Sequence, residues 1–230
     1  MIRELKWDSN FFNKRIAKLE IKKDEDKNVF EEISQEYDLT YVFSNFEIKA
    51  LENFHIDTKI ILSKSIFKPF KKALNTRIMI EKPECVKEFE NEDLYELAYV
   101  SGHKSRFKLD SKFSDEEFKL LYRKWIDNSL QDLKTIVYIA LINNSIIGFI
   151  ACKLEQRSAN ITLVAVDPEF HGKGVGKLLI HNLENYLKEK DIKELYVATQ
   201  SSNLQAIKFY NQIGFFVFSK TEIYHVWKTK

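Results

Sequence analysis

At 230 residues and 27.3 kDa, with 44% hydrophobic residues and only 6 Gly and 3 Pro, the chain reads as a folded globular protein of one or two units. Collagen-like and low-complexity chains are excluded. Charge is balanced, 36 Lys+Arg against 34 Asp+Glu, and it stays so along the chain: 14 basic and 13 acidic residues up to residue 75, 22 and 21 beyond it. Nothing concentrates one sign as a nucleic-acid partner would require, and the short cluster Lys68, Lys71 and Lys72 reads as a solvated face.

Cys85 and Cys152 stand far apart without CxxC or Cys/His spacing, so no metal site is expected. The opening MIRELKWDSN lacks the apolar core of a signal peptide, and no run of about 18 apolar residues occurs. The expectation is a cytoplasmic protein with reduced thiols and no membrane partner.

The first 75 residues read as a mixed α/β unit. Strands are expected at Ile16 to Ile21, Leu39 to Phe46 and Thr58 to Ile66, with a helix at Lys27 to Tyr37. The basic, Pro-containing stretch Phe67 to Asn75 is the expected break between an N-terminal domain, residues 1–75, and a second domain, residues 76–230. Beyond it, Arg77 to Ile80 resumes as a strand.

An acid-rich helix start follows at Asn91 to Ser101, and Ser114 with Glu117 forms a capping box for a helix through Leu130. Thr135 to Ile142 and Ser145 to Leu154 are strands joined at Asn143-Asn144, a pair that tolerates the positive φ of a tight hairpin. A polar turn through Ser158 and Asn160 leads to the strand Ile161 to Val166. Apolar residues at helical spacing from Val175 to Lys190, a strand at Glu194 to Thr199 and a helix at Asn203 to Ile213 come next. Phe215 to Ser219 and Glu222 to Trp227 close the chain as a strand pair. The fold class is α/β with a mixed, largely antiparallel sheet.

Chemistry is concentrated in Val166 to Leu179. Gly172, Gly174 and Gly176 stand between a strand and a helix, where missing Cβ atoms and a helix N-terminus suit a phosphate or pyrophosphate. A Walker loop is excluded because His171 and Leu178 occupy positions that need Gly and Ser or Thr. A dinucleotide fingerprint fails at Lys177, where a third Gly is required.

The segment His171-Gly172-Lys173-Gly174-Val175-Gly176 resembles the acetyl-CoA signature of the GCN5-related N-acetyltransferases, (Gln/Arg)-x-x-Gly-x-(Gly/Ala), with His in the first place. A second segment, Asn203-x-x-Ala206-x-x-Phe209-Tyr210-x-x-x-Gly214-Phe215, is similar to that family's late helix and strand. The resemblance covers residues 76 to 230. It implies acetyl-CoA as co-substrate, held by main-chain groups of Val164, Ala165 and Val166 and by the turn His171, Gly172, Lys173, Gly174, Val175, Gly176 and Lys177, with Asn203 and Ala206 beside it. It also implies that Tyr210 is the general acid for the leaving thiolate. Asn203 is equally a helix cap on its sequence alone. His103, His181 and His225 read as structural or solvent-facing, and Glu169 as an exposed turn residue.

A narrower resemblance runs through Leu5 to Asn13 (LKWDSNFFN) and Ile16, with Ser105-Arg106-Phe107, Asp110, Leu121-Tyr122 and Trp125-Ile126. These are similar to bacterial acetyltransferases of nucleotide-linked amino sugars, the dTDP-fucosamine acetyltransferases. Asn13 stands where Gly is usual there and is a suitable substitute at positive φ. The resemblance implies a dTDP-4-amino-4,6-dideoxyhexose as acceptor, in cell-surface polysaccharide synthesis, with Ser105, Arg106, Tyr122 and Trp125 at the acceptor wall. An alternative for Arg106 is pairing with Asp110, with Tyr122 and Trp125 in the core. A sugar amine is less basic than Lys, whose reference pKa is about 10.4, so no dedicated carboxylate base is demanded. A protein N-terminus, a small-molecule amine and a non-catalytic acyl-CoA-binding module remain as alternatives, and a homodimer is left open.

Overall fold

A computed structural model describes residues 2–22, 36–66, 77–86 and 90–228. The expected helix at Lys27 to Tyr37 lies almost wholly outside the described residues, as does the expected break at Phe67 to Asn75. In chain order the elements are β1 (Ile2–Glu4), α1 (Lys6–Phe12), β2 (Ile16–Ile21), β3 (Leu39–Ser44), β4 (His55–Ser65), β5 (Met79–Glu81), α2 (Asn91–Gly102), α3 (Arg106–Leu109) and α4 (Asp115–Gln131). There follow β6 (Thr135–Ile142), β7 (Ser145–Leu154), β8 (Ser158–Val166), α5 (Val175–Glu189), β9 (Glu194–Gln200), α6 (Leu204–Gln212) and β10 (Phe216–Trp227).

All ten strands join one sheet in the order β1-β2-β3-β10-β4-β9-β8-β7-β6-β5. Pairings are antiparallel except β2 with β3 and β8 with β9. The C-terminal strand β10 inserts between β3 and β4, and β4 also pairs with β9. The expected division after residue 75 therefore does not coincide with a break in the sheet, because strands from both sides of it alternate.

Two faces of the sheet bury separate cores. On one face, α2, α3 and α4 pack Leu94, Phe107, Phe118 and Leu121 against Tyr41, Ile139, Phe149 and Leu163. On the other, α5 and α6 pack Leu179, Leu183, Leu187 and Tyr210 against Ile150, Ile161, Val197 and Phe215. Alternation along β6 sends Val137 and Ile139 to the first core and Ile136 and Ala140 to the second. Helix α4 buries Phe118, Leu121, Tyr122 and Ile126, a stripe at helical spacing, and each such side chain stabilises the fold by about 1.5–3 kcal/mol. Its capping box is present: Ser114 Oγ accepts from the Glu117 amide, and Glu117 Oε2 accepts from the Ser114 amide.

Asn13 ends α1 at φ 49°, the left-handed conformation anticipated for it, and Asn143 and Asn144 turn the β6–β7 hairpin at φ 49° and 67°. Helix α1 turns Phe12 inward against Phe107 and Phe113, with ring centroids 5.8 and 4.9 Å away, which docks the chain's opening onto the α3–α4 region.

Two expectations are corrected. The predicted closing pair is one twelve-residue strand, β10, with register shifts at Val217/Ser219 and Ile223/Tyr224; its polar middle, Ser219-Lys220-Thr221, holds no Gly, Pro, Asn or Asp to turn the chain. The predicted polar turn at Ser158 and Asn160 is already strand, and their polarity is used to reach back to Glu155, whose two carboxylate oxygens accept from them at 3.0 and 2.8 Å.

Gly102 ends α2 where the α4 aromatics press against it: a Cβ there would stand 2.5 Å from Tyr122 Cζ and 2.8 Å from Phe118 Cζ. In an open helix Gly to Ala gains about 1 kcal/mol. Here G102A is expected to lower stability, by about 1–3 kcal/mol, because rigid rings must move. A lower urea midpoint at unchanged slope is the expected result, and an increase would refute the packing argument.

Candidate active site

Strands β8 and β9 pair in parallel over only four residue pairs, ending at Ile161 with Val197. The cause is visible on the other side of β8. Against β7, Leu163 pairs with Ala151 and Ile161 with Cys152, so Thr162 has no opposite residue and forms a bulge. Its Oγ1 donates to the Ala151 carbonyl at 3.2 Å. A bulge bends its strand and increases local twist, and here β8 leaves β9 from this point. Residues 162–166 keep β7 on one side and have no ladder with β9 on the other.

A cleft of about 990 Å³ opens where the strands part. The predicted residues Val164, Ala165, Val166, His171, Gly172, Gly174, Val175, Gly176, Lys177, Asn203, Ala206 and Tyr210 all line it, and so do Ser105, Arg106, Tyr122 and Trp125. Lys173 does not: its amide donates to the Phe170 carbonyl at 3.3 Å and its ammonium lies 4.7 Å from the Phe170 ring centre.

At one end of the cleft, Gly172 and Gly174 adopt φ 75° and 85°, and nothing lies within 4 Å of where their Cβ atoms would be. Gly174 caps α5, whose first intrahelical bond is Leu178 N–H to Gly174 O. The amides of residues 174–176 therefore precede the first intrahelical bond, and they carry the positive end of the helix dipole. A phosphate fits this turn. Gly176 has a second use, since a Cβ there would meet Phe209 Cζ at 3.1 Å; it lets α5 and α6 approach.

His171 is tied at both nitrogens, with Nε2 2.9 Å from the Val166 carbonyl and Nδ1 3.3 Å from Gln205 Nε2. A carbonyl only accepts, so Nε2 carries the proton and Nδ1 accepts from Gln205. His171 thus anchors the turn to the end of β8 instead of supplying charge. Asn203 is a helix cap, its Oδ1 accepting from the Ala206 amide at 3.2 Å. Tyr210 is 4% exposed, its ring set between Phe209 and Phe215, and burial pushes its pKa up, so the phenol holds its proton at neutral pH.

The other end is built around Arg106 at the start of α3. Its guanidinium lies 3.9 Å from the Tyr41 ring centre and 4.4 Å from that of Phe107. Its Nη1 donates to His225 Nε2 at 3.2 Å, while His225 Nδ1 donates to Asp110 Oδ2 at 2.6 Å. Trp227 Nε1 adds a second bond to the same oxygen at 2.8 Å. The expected alternative, direct pairing of Arg106 with Asp110, is replaced by this relay through His225. Tyr122 belongs to the core, its phenol pushed up to about 12 by burial, whereas Trp125 is half-buried and edges the cleft.

Burial holds the His225 pKa down to about 4, with Arg106 adding to the effect and the Asp110 bond opposing it. Asp110 is drawn up by burial, but bonds from His225, Trp227 and the Lys112 amide outweigh this and leave it below its ordinary value. His225 is thus a neutral spacer between a cation and an anion. Sequence reasoning missed its role because nothing local links residue 225 to residues 106 and 110; β10 brings it there. Phe43 on β3 and Lys59 on β4 also line this end and were likewise missed.

The description Acetyltransferase (GNAT) family matches residues 92–215, more than half of the chain. The chain belongs to the GNAT acetyltransferase family. The spore coat polysaccharide biosynthesis protein SpsD of Bacillus subtilis is 28% identical over 141 residues, 61% of this chain and 49% of that protein. The ribosomal protein bS18-alanine N-acetyltransferase of Haemophilus influenzae is 40% identical over 73 residues, 32% of this chain and 49% of that one. The chain thus spans about half the length of these curated relatives. Among solved structures, the PaiA N-acetyltransferase of Thermoplasma acidophilum in complex with coenzyme A is 25% identical, covers 65% of this chain and 98% of its own, and has a TM-score of 0.50.

His225 and His181, the latter also held down to about 4 by burial with Lys177 and Lys64, set a pH dependence. Their folded pKa lies below the unfolded value of about 6.5, so the unfolded chain takes up protons first as pH falls. Stability is expected to be fully present above pH 6.5 and to decline steadily towards pH 4. Urea titrations across that range check it; a flat profile would show that neither ring is held neutral.

Proposed function

We propose that this GNAT chain transfers the acetyl group of acetyl-CoA to the amine of a nucleotide-linked amino sugar of the dTDP-4-amino-4,6-dideoxyhexose type, with Tyr210 as general acid. The observation that carries the reading is that one cleft contains the glycine turn, the buried protonated phenol of Tyr210 and a cationic, aromatic far end. SpsD, by its name a polysaccharide biosynthesis protein, supports the sugar part of the reading.

Acetyl-CoA supplies the acyl group as a thioester. Main-chain groups of Val164, Ala165 and Val166, open on the side away from β7, bind its pantetheine arm as a further strand. The amides of residues 174–176 receive its pyrophosphate, and Gly172 and Gly174 keep the approach clear. The amine attacks the thioester carbonyl, so that a C–N bond forms as the C–S bond breaks; Tyr210 Oη, protonated at neutral pH, donates to the departing sulfur, and the proton shed by the nitrogen passes to water and restores the phenol. The first 75 residues contribute to the acceptor wall through Phe43 and Lys59. Acetylation of a protein N-terminus, as the name of the bS18-alanine enzyme describes for that protein, is the second reading.

Y210F is expected to lower kcat by about 10²-fold or more at little change in acetyl-CoA affinity. Equal kcat values where chemistry limits the rate would remove Tyr210 from the role. Assay of nucleotide amino sugars beside peptides with free N-termini, following release of CoA thiol, tests the acceptor class; acetylation of peptides alone would replace the sugar reading by the second one.

G174V places a branched side chain at φ 85°, which costs about 1–2 kcal/mol of backbone strain and fills the space before the helix amides. Acetyl-CoA is expected to bind at least about tenfold more weakly by calorimetry. Unchanged affinity in the folded variant would place the pyrophosphate elsewhere.

A further inference from the structure

We propose that the acceptor end of the cleft holds an anion subsite, formed by Lys59 and Arg106 around Phe43 and reinforced by Lys18, that grips a diphosphate. The inference rests on the amino-sugar reading and adds where such an acceptor is held. Three cationic heads converge on one ring: Lys18 Nζ, Arg106 Cζ and Lys59 Nζ lie 4.9, 5.7 and 5.9 Å from the Phe43 centroid. They come from β2, α3 and β4, elements distant in sequence, and Phe43, Lys59 and Arg106 all line the cleft.

Among the described residues, only Lys18 of these three is paired with a carboxylate. Glu20 is bound to Lys18 at 2.6 Å, and Asp110 is taken by His225 and Trp227. Among the described residues, neither Lys59 nor Arg106 has a carboxylate at ion-pair distance. Asp8, the other acid near Arg106, is half-buried, and burial raises its pKa in spite of Arg106. Burial, Lys18 and Arg106 together lower the pKa of Lys59, so this ammonium sits where its charge is disfavoured. Two half-buried cations near one ring, neither with a carboxylate at ion-pair distance, are stabilised by a ligand that brings negative charge.

Arg106 is also a prepared contact. Stacked on Tyr41 and Phe107 and bonded to His225, it loses little further freedom when it binds. A single carboxylate would be met by the Arg106 fork alone, whereas a second cation on another element matches the second phosphate of a diphosphate.

The test uses the full chain saturated with CoA, so that added phosphates cannot enter the glycine turn, and measures binding of inorganic pyrophosphate and of dTDP by calorimetry. Both are expected to bind, K59M to weaken both by about tenfold or more, and K59R to restore most of the loss. CoA affinity should be the same in all three proteins, which separates loss of the subsite from loss of folding. If pyrophosphate follows this pattern but dTDP binds no tighter than pyrophosphate, the subsite stands and the nucleotide-sugar reading fails. If K59M binds both probes as tightly as the unaltered chain, or the unaltered chain binds neither, the subsite is overturned.

Discussion

The active cleft depends on one interruption in hydrogen bonding. Had β8 and β9 continued in parallel beyond Ile161 and Val197, residues 162–166 would be an interior strand with both edges satisfied, and no backbone would be left for a ligand. The bulge at Thr162 prevents this while β7 holds the other edge of β8. Unpaired backbone in a protein interior is costly, so a strand left open on one side is stable only at a surface or beside a ligand that completes it. That open edge then fixes the rest. The helix following β8 must start at the mouth of the gap, which puts the Gly174 cap and the free amides of α5 there. The neighbouring β9–α6 unit must form the opposite wall, which puts Tyr210 in the cleft.

The far end is held by a different kind of constraint. Arg106 is not aimed by its own helix, since α3 spans only Arg106–Leu109. It is aimed by a stack on Tyr41 and Phe107 and by the neutral His225 that β10 presents to it. Because β10 lies between β3 and β4, the C-terminal strand connects the first 66 residues to the remainder and carries His225 and Trp227 to Asp110 in the same stroke. The strand that joins the two parts of the sheet is therefore also the one that positions this wall of the cleft.

Legibility in the sequence followed the range of the interactions. The elements around the glycine turn, the Asn143-Asn144 hairpin, the Ser114 capping box and the left-handed Asn13 were all readable, because each is decided by residues within a few positions of one another. The glycine turn and Tyr210 were readable for the same reason, each lying within a short motif. The continuous sheet was not, because β10 pairs with strands some 150 to 190 residues earlier in the chain. The bulge at Thr162 was hidden too: ITLVAV has uninterrupted strand propensity, and only its register against Ala151 and Cys152 reveals the extra residue. Lys18, Phe43 and Lys59 carry no signal singly, and their meaning arises only when β2, β3 and β4 are laid side by side with α3 above them.

The two ends of the cleft consequently respond differently to sequence change. At the glycine turn the recognising groups are main-chain amides, present whatever the side chains are, so substitution is tolerated wherever φ and the open space are kept. His in place of the family's Gln or Arg illustrates it: His171 is occupied in joining the turn to Val166 and Gln205, and the backbone conformation of the turn is kept. At the other end the cleft is walled by side chains of separate elements, among them Phe43, Lys59 and Arg106, and altering either cation changes the charge of that wall. The residues around Phe43 and Arg106 lie outside both of the motifs that mark the family, so this end of the cleft is free to differ while the glycine turn is kept.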